Sequence, residues 1–292
     1  MSGLPTLDPL DRRLNLFGGE LAETALRGKV AAARFVDGRP AHVVAAHADL
    51  RLRPDAACSI DHQLLLGETV QVFDERAGWA WVKADFDGYV GWTLAAGLAA
   101  GMPSPTHVVS VPRTFAYPGP DLRLPAARTL SMGSAVRVVG EAETRGAPYL
   151  VLDSGEALFA RHLRPRGTFD SDYVAVARKF LATPYLWGGA TGCGLDCSGL
   201  IQLAMRMCGR AVLRDSDMQA ATIGGEIDGG AGWRGLRRGD LIFWRGHVAI
   251  VEGDGNLLHA NGYTMDVTSE PLDRAIARIG RLFERPIGCR RP

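Results

Sequence analysis

The chain has 292 residues, of which 47% are hydrophobic and 22% are charged, a composition typical of a globular protein with two or three domains. Its formal net charge of +1 gives no reason to expect nucleic acid or a membrane surface as a partner. The sequence has no apolar run long enough to span a bilayer and no apolar signal core near its start. Its five scattered cysteines do not make a disulfide framework, so we expect a cytoplasmic protein.

Residues 1–41 are expected to form an N-terminal arm that packs on the next domain. Within this stretch the segment GELAETALRGKVAAARFV predicts one helix interrupted at Gly28. The arm is assigned no role in binding or chemistry.

An internal repeat follows the arm. The segment LLLGETVQVFDE at residues 64–75 recurs as LSMGSAVRVVGE at residues 130–141. Alternating apolar residues in both copies predict about five short strands each, and therefore two small β-barrels at residues 42–102 and 103–167. The segment AAGMPSPTHV between the copies reads as a linker because of its glycine and prolines.

The pattern changes to α+β in the last domain, residues 168–292. The segment SDYVAVARKFLAT predicts a helix capped by Ser171 or Asp172. A second helix is predicted after GLDCSGL, with Asp196 as its N-cap and Cys197 in its first turn. Short strands are then predicted from GDLIFW, GHVAIVEG and NLLHAN.

Cys197 is the candidate nucleophile of this domain. A thiol at a helix start lies beside unpaired backbone N–H groups and the positive end of the helix dipole, which favour the thiolate. His247 and His259 would lie opposite each other on one sheet face if their hairpin were symmetric about residue 253. One histidine could then act as base and the other could orient it, although a buried structural cysteine remains the alternative to this reading.

A zinc site is the other reading of these side chains. Cys193, Cys197, His247 and His259 are ligand types that zinc accepts. Such a site would leave the helix-start cysteine and the surrounding sequence blocks unexplained, so we expect no metal and no cofactor. Cys193 itself is interpreted as incidental, with a regulatory disulfide to Cys197 as the sharper alternative.

The blocks GLDCSGL, RGDLIFW, GHVAIV and LLHAN, in this order and spacing, resemble the NlpC/P60 family of cysteine peptidases over roughly residues 170–292. The resemblance implies a papain-like fold with Cys197 as nucleophile, His247 as general base and His259 as the orienting residue. It also implies that the hydroxyl of Tyr185 helps to hold the oxyanion. The two upstream repeats resemble bacterial SH3-like modules, so the expected fold is two all-β barrels followed by an α+β catalytic domain.

The arrangement is similar to that of γ-D-glutamyl-L-diamino acid endopeptidases, which cut murein stem peptides. The segment RDSDMQ at residues 214–219 resembles the part of those enzymes that holds a free N-terminal L-Ala. The resemblance implies a pocket for the substrate ammonium, because a buried ammonium needs anionic and hydrogen-bonding partners. Its expected members are Asp196, Ser198, Asp215, Ser216, and Glu75 and Tyr89 from the first barrel.

The choice between Asp74 and Glu75 stays open, and Glu156 stands where the second repeat would need the equivalent of Tyr89. The expected partners are short murein-derived peptides, with a monomer as the default state. Two other functions remain open: a murein-binding adaptor, and an amidase or acyltransferase that uses the same cysteine and histidines.

Overall fold

A computed structural model describes residues 3–292. Contacts within the chain divide it into an N-terminal unit, residues 10–168 with 191–193, and a C-terminal unit, residues 3–9, 169–190 and 194–292. No helix in the described part of the chain is long and apolar enough to cross a membrane.

The predicted helix in the N-terminal arm is wrong. The segment instead forms a three-stranded sheet of β1 (Phe17–Gly18), β2 (Leu21–Glu23) and β3 (Arg34–Val36), with a 3₁₀ turn at Thr24–Leu26. Burial explains this outcome. The Glu23 carboxylate is buried and accepts hydrogen bonds from the backbone of Leu16 (3.0 Å) and from Lys83 Nζ (2.9 Å). These tertiary contacts hold the backbone extended and override the local helix preference.

The first barrel follows directly from the arm. Its main sheet has the order β10-β4-β7-β8-β9, and β5 and β6 form a separate hairpin. The strands are β4 (Arg39–Val43), β5 (His47–Leu50), β6 (His62–Leu65), β7 (Thr69–Arg76), β8 (Trp79–Ala84), β9 (Val90–Leu94) and β10 (Leu98–Ala100), with a 3₁₀ turn at Ala95–Gly97.

The second segment repeats this order of elements, so the copies have more strands than the five expected. Its strands are β11 (His107–Val109), β12 (Arg113–Ala116), β13 (Arg128–Ser131), β14 (Ala135–Val136), β15 (Val138–Thr144), β16 (Ala147–Leu152), β17 (Ala157–Phe159) and β18 (Leu163–Pro165), with a 3₁₀ turn at Ala160–His162. That this second segment is an SH3-like domain stays a prediction.

The two copies differ at one pair of equivalent positions. His62 opens β6 and Tyr89 immediately precedes β9, and their rings pack edge to face with centroids 5.4 Å apart. Arg128 opens β13 and Glu156 immediately precedes β17, and these two form an ion pair with Arg128 Nε 2.9 Å from Glu156 Oε1. The same framework therefore holds an aromatic pair in one copy and a charged pair in the other.

The C-terminal unit is built on an antiparallel six-stranded sheet of order β21-β26-β22-β23-β24-β25. Its helices are α1 (Tyr173–Arg178), α2 (Cys197–Met207), α3 (Ser216–Thr222) and α4 (Leu272–Leu282). Its strands are β19 (Ala190–Thr191), β20 (Gly194–Leu195), β21 (Gly225–Ile227), β22 (Leu241–Trp244), β23 (His247–Gly253), β24 (Asn256–Asn261), β25 (Asp266–Pro271) and β26 (Gly288–Arg291), with a 3₁₀ turn at Ala231–Trp233.

Two helix predictions are confirmed here. Asp172 caps α1, because its carboxylate accepts hydrogen bonds from the backbone of Val174 and Ala175. Helix α2 begins at Cys197 and is buried along almost its whole length. Strands β22, β23 and β24 are nearly all buried as well, so α2 is held rigidly against the sheet that carries the two histidines.

Candidate active site

Cys197 is the first residue of α2. Asp196 precedes it in an extended conformation and accepts a hydrogen bond from the backbone N–H of Gly199 (2.7 Å), as the sequence predicted for an N-cap. A Cβ atom at Gly199 would collide with the carbonyl oxygen of Gly189, which explains the glycine in the motif. The cap and this close approach fix the direction in which the thiol leaves the helix.

The Cys197 thiol is protonated at rest. Burial is the main reason that its pKa is raised to about 12, and the nearby Asp196 carboxylate adds to the effect. The backbone N–H groups of Val248, on β23, and of Ser198, at the helix start, lower the pKa, but burial outweighs them. The expectation of a favoured thiolate is therefore wrong, and the thiol needs a base.

Two histidines and a carboxylate form a hydrogen-bonded chain on the sheet, which we call the histidine array. His247 Nε2 lies 2.9 Å from His259 Nδ1, and His259 Nε2 lies 2.9 Å from Glu270 Oε1. A carboxylate only accepts, so His259 donates to Glu270 from Nε2 and accepts from His247 at Nδ1. His247 Nδ1 is then the unprotonated nitrogen, the one that can take a proton from a thiol.

The array is neutral at its reactive end. Burial, followed by the charges of His259 and Arg278, lowers the pKa of His247 to about 3. The pKa of Glu270 is also lowered, first by its hydrogen bond from His259. His247 is thus a neutral base, and the Cys197 thiol lies against the two chain neighbours of this histidine, with Sγ 3.9 Å from the carbonyl oxygen of Gly246 and within reach of the Val248 N–H.

The two histidines share one face of the sheet, but they are not directly opposite. The hairpin pairs Ile250 with Leu258, and continuing that register places His259 opposite Ala249, two residues from His247. The turn at Asp254 and Gly255, with φ of 51° and 76°, centres the hairpin between these two residues, and a bulge between Val251 and Gly253 brings the register back only to residue 254. The predicted centre at residue 253 is therefore wrong, and the rings meet diagonally.

Glu270 and Arg278 were missed at the level of sequence. Glu270 lies on β25 opposite Leu257, which places it diagonally to His259 on the neighbouring strand. Arg278 on α4 forms an ion pair with Glu270 and stacks on Tyr263, with its guanidinium carbon 4.3 Å from the ring centroid. The sequence signal that could have identified Glu270 is the acid in the segment TSEP, which follows His259 by one hairpin.

Tyr185 lies near the thiol and is half-buried. Burial and the charges of Cys197 and Asp196 raise the pKa of its hydroxyl above the ordinary value. The hydroxyl therefore stays protonated and can donate a hydrogen bond, which is the property that an oxyanion-hole residue needs.

The other side of the helix start is occupied by Asp196, Ser198 and Arg214, which we call the helix-start network. Arg214 is fully buried and binds both carboxylate oxygens of Asp196, with Nη1–Oδ1 at 2.9 Å and Nη2–Oδ2 at 2.6 Å. It also donates to Ser198 Oγ (2.9 Å). Bidentate pairing of this kind is strong and directional.

The Asp196 carboxylate has no acceptor position left over. Its two oxygens also accept from the backbone of Gly188 (3.0 Å) and Gly199 and from the Ser198 hydroxyl (3.3 Å). Arg214 already pairs with both oxygens of Asp196, and the predicted role of Asp196 in substrate binding stays a prediction. The missed residue, Arg214, was the first letter of the quoted motif RDSDMQ.

Asp215 and Ser216 begin α3, directly after Arg214. Asp215 occupies the N-cap position, but its side chain makes no capping hydrogen bond, and Ser216 is buried. Their role in substrate binding stays a prediction.

The two residues predicted from the first barrel do not come together. Glu75 pairs with Ala80 on β8 and forms an exposed ion pair with Arg39 (2.8 Å). Tyr89 is buried at the other end of the same ladder, where its carbonyl accepts from Ala84. Four residues along a strand separate the two backbones by about 13 Å. The carboxylate beside Tyr89 is that of Asp87, which accepts from the Tyr89 backbone (3.0 Å).

The zinc alternative has no support from side-chain placement. Among residues 3–292, no three histidine, cysteine, aspartate or glutamate side chains are grouped so as to hold a metal ion. Cys193 is exposed whereas Cys197 is buried, and both are free thiols.

Two family models match the chain. Residues 182–278 match the NlpC/P60 family, and residues 50–98 match the bacterial dipeptidyl-peptidase Sh3 domain. The first match contains helix α2 with Cys197 and the whole histidine array. This part of the chain is an NlpC/P60 peptidase domain.

Relatives with established names agree with this assignment. Dipeptidyl-peptidase 6 of Lysinibacillus sphaericus is 27% identical over 272 residues, which cover 82% of this chain and 98% of that protein. Gamma-D-glutamyl-L-lysine dipeptidyl-peptidase of Bacillus subtilis is 28% identical over 251 residues, which cover 77% of this chain and 81% of that protein. The chain is thus similar along most of its length to dipeptidyl-peptidases, one of which is named for gamma-D-glutamyl-L-lysine.

A solved structure supports the fold. The crystal structure of an NlpC/P60 family protein from Bacillus cereus superposes with a TM-score of 0.71 at 23% identity, covering 86% of this chain and 99% of that chain. The order of barrel and catalytic domain in this NlpC/P60 peptidase is therefore that of a known architecture.

A cleft of about 600 Å³ opens beside the array in the C-terminal unit. Its lining includes Tyr185, Trp244 and His247, together with Tyr263 and Arg278. Helix α4 contributes Arg278, Ile279 and Leu282 to it.

Proposed function

We propose that this peptidase hydrolyses the γ-D-glutamyl–diamino acid bond of murein stem peptides that carry a free N-terminal L-Ala, as a step in recycling those peptides. The observation that carries the proposal is the chain from His247 through His259 to Glu270, which leaves His247 Nδ1 unprotonated, while the Cys197 thiol lies against the neighbouring Gly246. The names of the gamma-D-glutamyl-L-lysine dipeptidyl-peptidases of Bacillus cereus and Bacillus subtilis support the substrate class.

The first half of the reaction acylates the enzyme. His247 Nδ1 takes the proton of Cys197 as sulfur attacks the γ-carbonyl carbon of D-Glu. The oxyanion accepts hydrogen bonds from backbone N–H groups at the start of α2 and from the hydroxyl of Tyr185. His247 then gives its proton to the departing nitrogen of the diamino acid, and a thioester remains.

The second half hydrolyses that thioester. His247 takes a proton from water as the water oxygen attacks the same carbon, and the Cys197 sulfur leaves and recovers the proton. Throughout both halves His259 stays fixed by Glu270, so the ring of His247 keeps one orientation while its charge changes. The product is L-Ala-γ-D-Glu.

The test is cleavage of L-Ala-γ-D-Glu-L-Lys and its meso-diaminopimelate analogue, each with a free and an N-acetylated amino terminus. We expect cleavage of the free peptides only, and complete loss of cleavage in Cys197→Ala with an unchanged circular dichroism spectrum. Equal cleavage of free and acetylated peptides would remove the requirement for a free L-Ala. An active Cys197→Ala protein would end the cysteine mechanism.

An adaptor that only binds murein is disfavoured by the intact catalytic chain. Sedimentation with whole sacculi distinguishes the two functions. Strong binding of the protein to sacculi, together with no hydrolysis of any of the four peptides, would favour the adaptor.

A further inference from the structure

The row of side chains around His247 begins one strand before it. Trp244 ends β22 and His247 begins β23, and the two are direct cross-strand partners on either side of a two-residue turn. The next strand carries His259, and the strand after it carries Glu270. Because side chains of neighbouring strands meet on one face of a sheet, the His247 ring lies between the rings of Trp244 and His259.

Both neighbouring rings pack against His247. The ring centroids of Trp244 and His247 are 5.5 Å apart at an interplanar angle of 42°, and those of His247 and His259 are 5.1 Å apart at 57°. Rings at such distances are in contact. A hydrogen bond holds His247 at Nε2 alone, and the ring could rock about that bond, so the packing of Trp244 is what limits this motion.

Trp244 is itself held in place by the core. It is 2% exposed and belongs to an apolar cluster of the sheet and α4 that includes Ile242, Ala275 and Ile279. Side chains in a close-packed cluster keep their rotamers and pass strain to their neighbours. The indole is therefore a rigid surface for the ring of His247.

The indole N–H of Trp244 carries a cost that packing in the core does not explain. Nε1 is buried and has no hydrogen-bond acceptor among residues 3–292. A buried donor without a partner lowers stability, and a phenylalanine at this position would avoid that loss. A phenylalanine would also cover less of the neighbouring ring, so the larger face toward His247 is what this position gains from tryptophan.

We propose that Trp244 is a positioning residue for His247. In the proposed function, on which this inference rests, His247 Nδ1 takes up and releases protons while Nε2 stays bonded to His259. The indole closes the side of the ring opposite His259. The ring therefore cannot turn away from its hydrogen bond, and water does not reach it from that side.

Trp244 also bears on the charge of His247, because burial is the first cause of the lowered pKa of that ring. A side chain without a ring face would let water reach His247, so its pKa should rise toward the ordinary value for histidine. The charged and titratable groups around His247 do not change in such a variant. They are Cys197 from α2, His259 from β24, Glu270 from β25, Arg278 from α4, and Tyr185, Arg245, Tyr263 and Glu284 along the cleft.

The test compares Trp244→Met with Trp244→Phe on L-Ala-γ-D-Glu-L-Lys. Methionine fills the space but has no ring face, so we expect kcat to fall about tenfold, KM to stay within about twofold, and the acid limb of kcat/KM to move to higher pH. Phenylalanine keeps an aromatic face and should retain about half of kcat or more. Wild-type kcat and acid limb in Trp244→Met, or an equal loss in Trp244→Phe, would overturn the proposal.

Ile242→Ala is the matched control for damage to the core. Ile242 belongs to the same cluster and the same face of β22 as Trp244, but its cross-strand partner is Ala249. We expect this variant to lose stability in urea, as Trp244→Met does, with kcat and the acid limb unchanged. An acid limb that moves equally in Ile242→Ala would show a general loosening of the core and contradict the positioning role.

The ring of His247 is also observed without substrate, which separates this inference from the proposed function. Its two ¹⁵N resonances, identified by their loss in His247→Gln, report which nitrogen carries the proton. We expect one tautomer, with the proton on Nε2, in the wild-type protein and in Trp244→Phe, and a mixture in Trp244→Met. This result supports the positioning role even if the wild-type protein cleaves no peptide, in which case only the proposed function fails.

A single tautomer in Trp244→Met, or a mixture in either of the other two proteins, overturns the positioning role. Trp244→Phe keeps an aromatic side chain in the core, so it provides this test even if Trp244→Met does not fold.

Discussion

The helix-start network and the histidine array both belong to the candidate active site, but they hold charge in opposite ways. The network is an ion pair, Asp196 and Arg214, closed off by backbone and hydroxyl groups. The array presents neutral His247, which in the proposed mechanism takes up and releases a proton twice in each catalytic cycle. One set of polar groups therefore fixes the geometry of the helix start, and the other moves protons.

Because of this difference, we expect substitutions in the helix-start network to change stability and substitutions in the histidine array to change the catalytic rate. A buried ion pair that loses one partner leaves an uncompensated charge, so its loss is seen in folding. Loss of a hydrogen bond that orients a base lowers the catalytic rate instead, provided that the side chains left behind remain partly solvated or paired. Glu270 is 21% exposed and keeps Arg278, whereas Arg214 has no exposure at all.

The largest effect is expected from Arg214→Met. The substitution keeps the volume but leaves the Asp196 carboxylate buried without its cation, and we expect the free energy of unfolding to fall by about 3–5 kcal/mol. Urea denaturation followed by circular dichroism measures this loss.

The control is the double variant Asp196→Asn, Arg214→Met. It removes both charges and keeps an acceptor for the Gly199 N–H, so most of the lost stability should return. A double variant as unstable as Arg214→Met alone would show that packing, and not an unpaired charge, makes the network important.

Glu270→Gln should act on the rate and leave the fold stable. The amide keeps the size of the side chain but weakens its hold on the His259 Nε2–H, and we expect kcat to fall about tenfold with KM unchanged. The tautomer of His259, read from ¹⁵N chemical shifts of the ring, should become mixed in the variant. A pure Nε2–H tautomer together with full activity would contradict the positioning role of Glu270.

The pH profile of the same variant sharpens the result. Burial is the first cause of the lowered pKa of His247, and it is the same in both proteins. The acid limb of kcat/KM should therefore lie below pH 6.5 in both, because a lowered pKa keeps the base neutral at more acidic pH. An acid limb that moves to the ordinary pKa of histidine in the variant would contradict this expectation. It would mean that replacing Glu270 lets water reach the site.

The parts of the site that the sequence could supply are those encoded locally. The cap at Asp196, the start of α2 at Cys197 and the shared face of the two histidines depend on residues close together in the chain, and the structure has all three. Glu270 is brought to His259 by the pairing of β24 with β25, and Arg278 is brought to Glu270 by α4 packing behind them. Such contacts depend on register and packing, which no short motif carries.

Two predictions in the N-terminal unit concern residues whose surroundings lie far along the chain. The arm forms a sheet because Glu23 is buried against Lys83, a partner far along the chain. Glu75 was taken as the acid that the resemblance implies, but the ladder places it away from Tyr89, so its role stays a prediction.

The smallest effect is expected from Glu75→Gln, which provides an exposed counterpart to the buried pair of Asp196 and Arg214. Arg39 and Glu75 carry the same two charges, but their side chains are 69% and 51% exposed. Water screens such a pair, so its loss should change the free energy of unfolding by less than about 1 kcal/mol. KM for L-Ala-γ-D-Glu-L-Lys should also stay within error of the wild-type value, because the carboxylate of Glu75 lies at the opposite end of the ladder from Tyr89. A clear rise in KM for the free peptide, with no rise for its N-acetylated form, would restore Glu75 as a partner of the substrate ammonium. If KM is unchanged, burial alone distinguishes this exposed pair from the ion pair of the helix-start network.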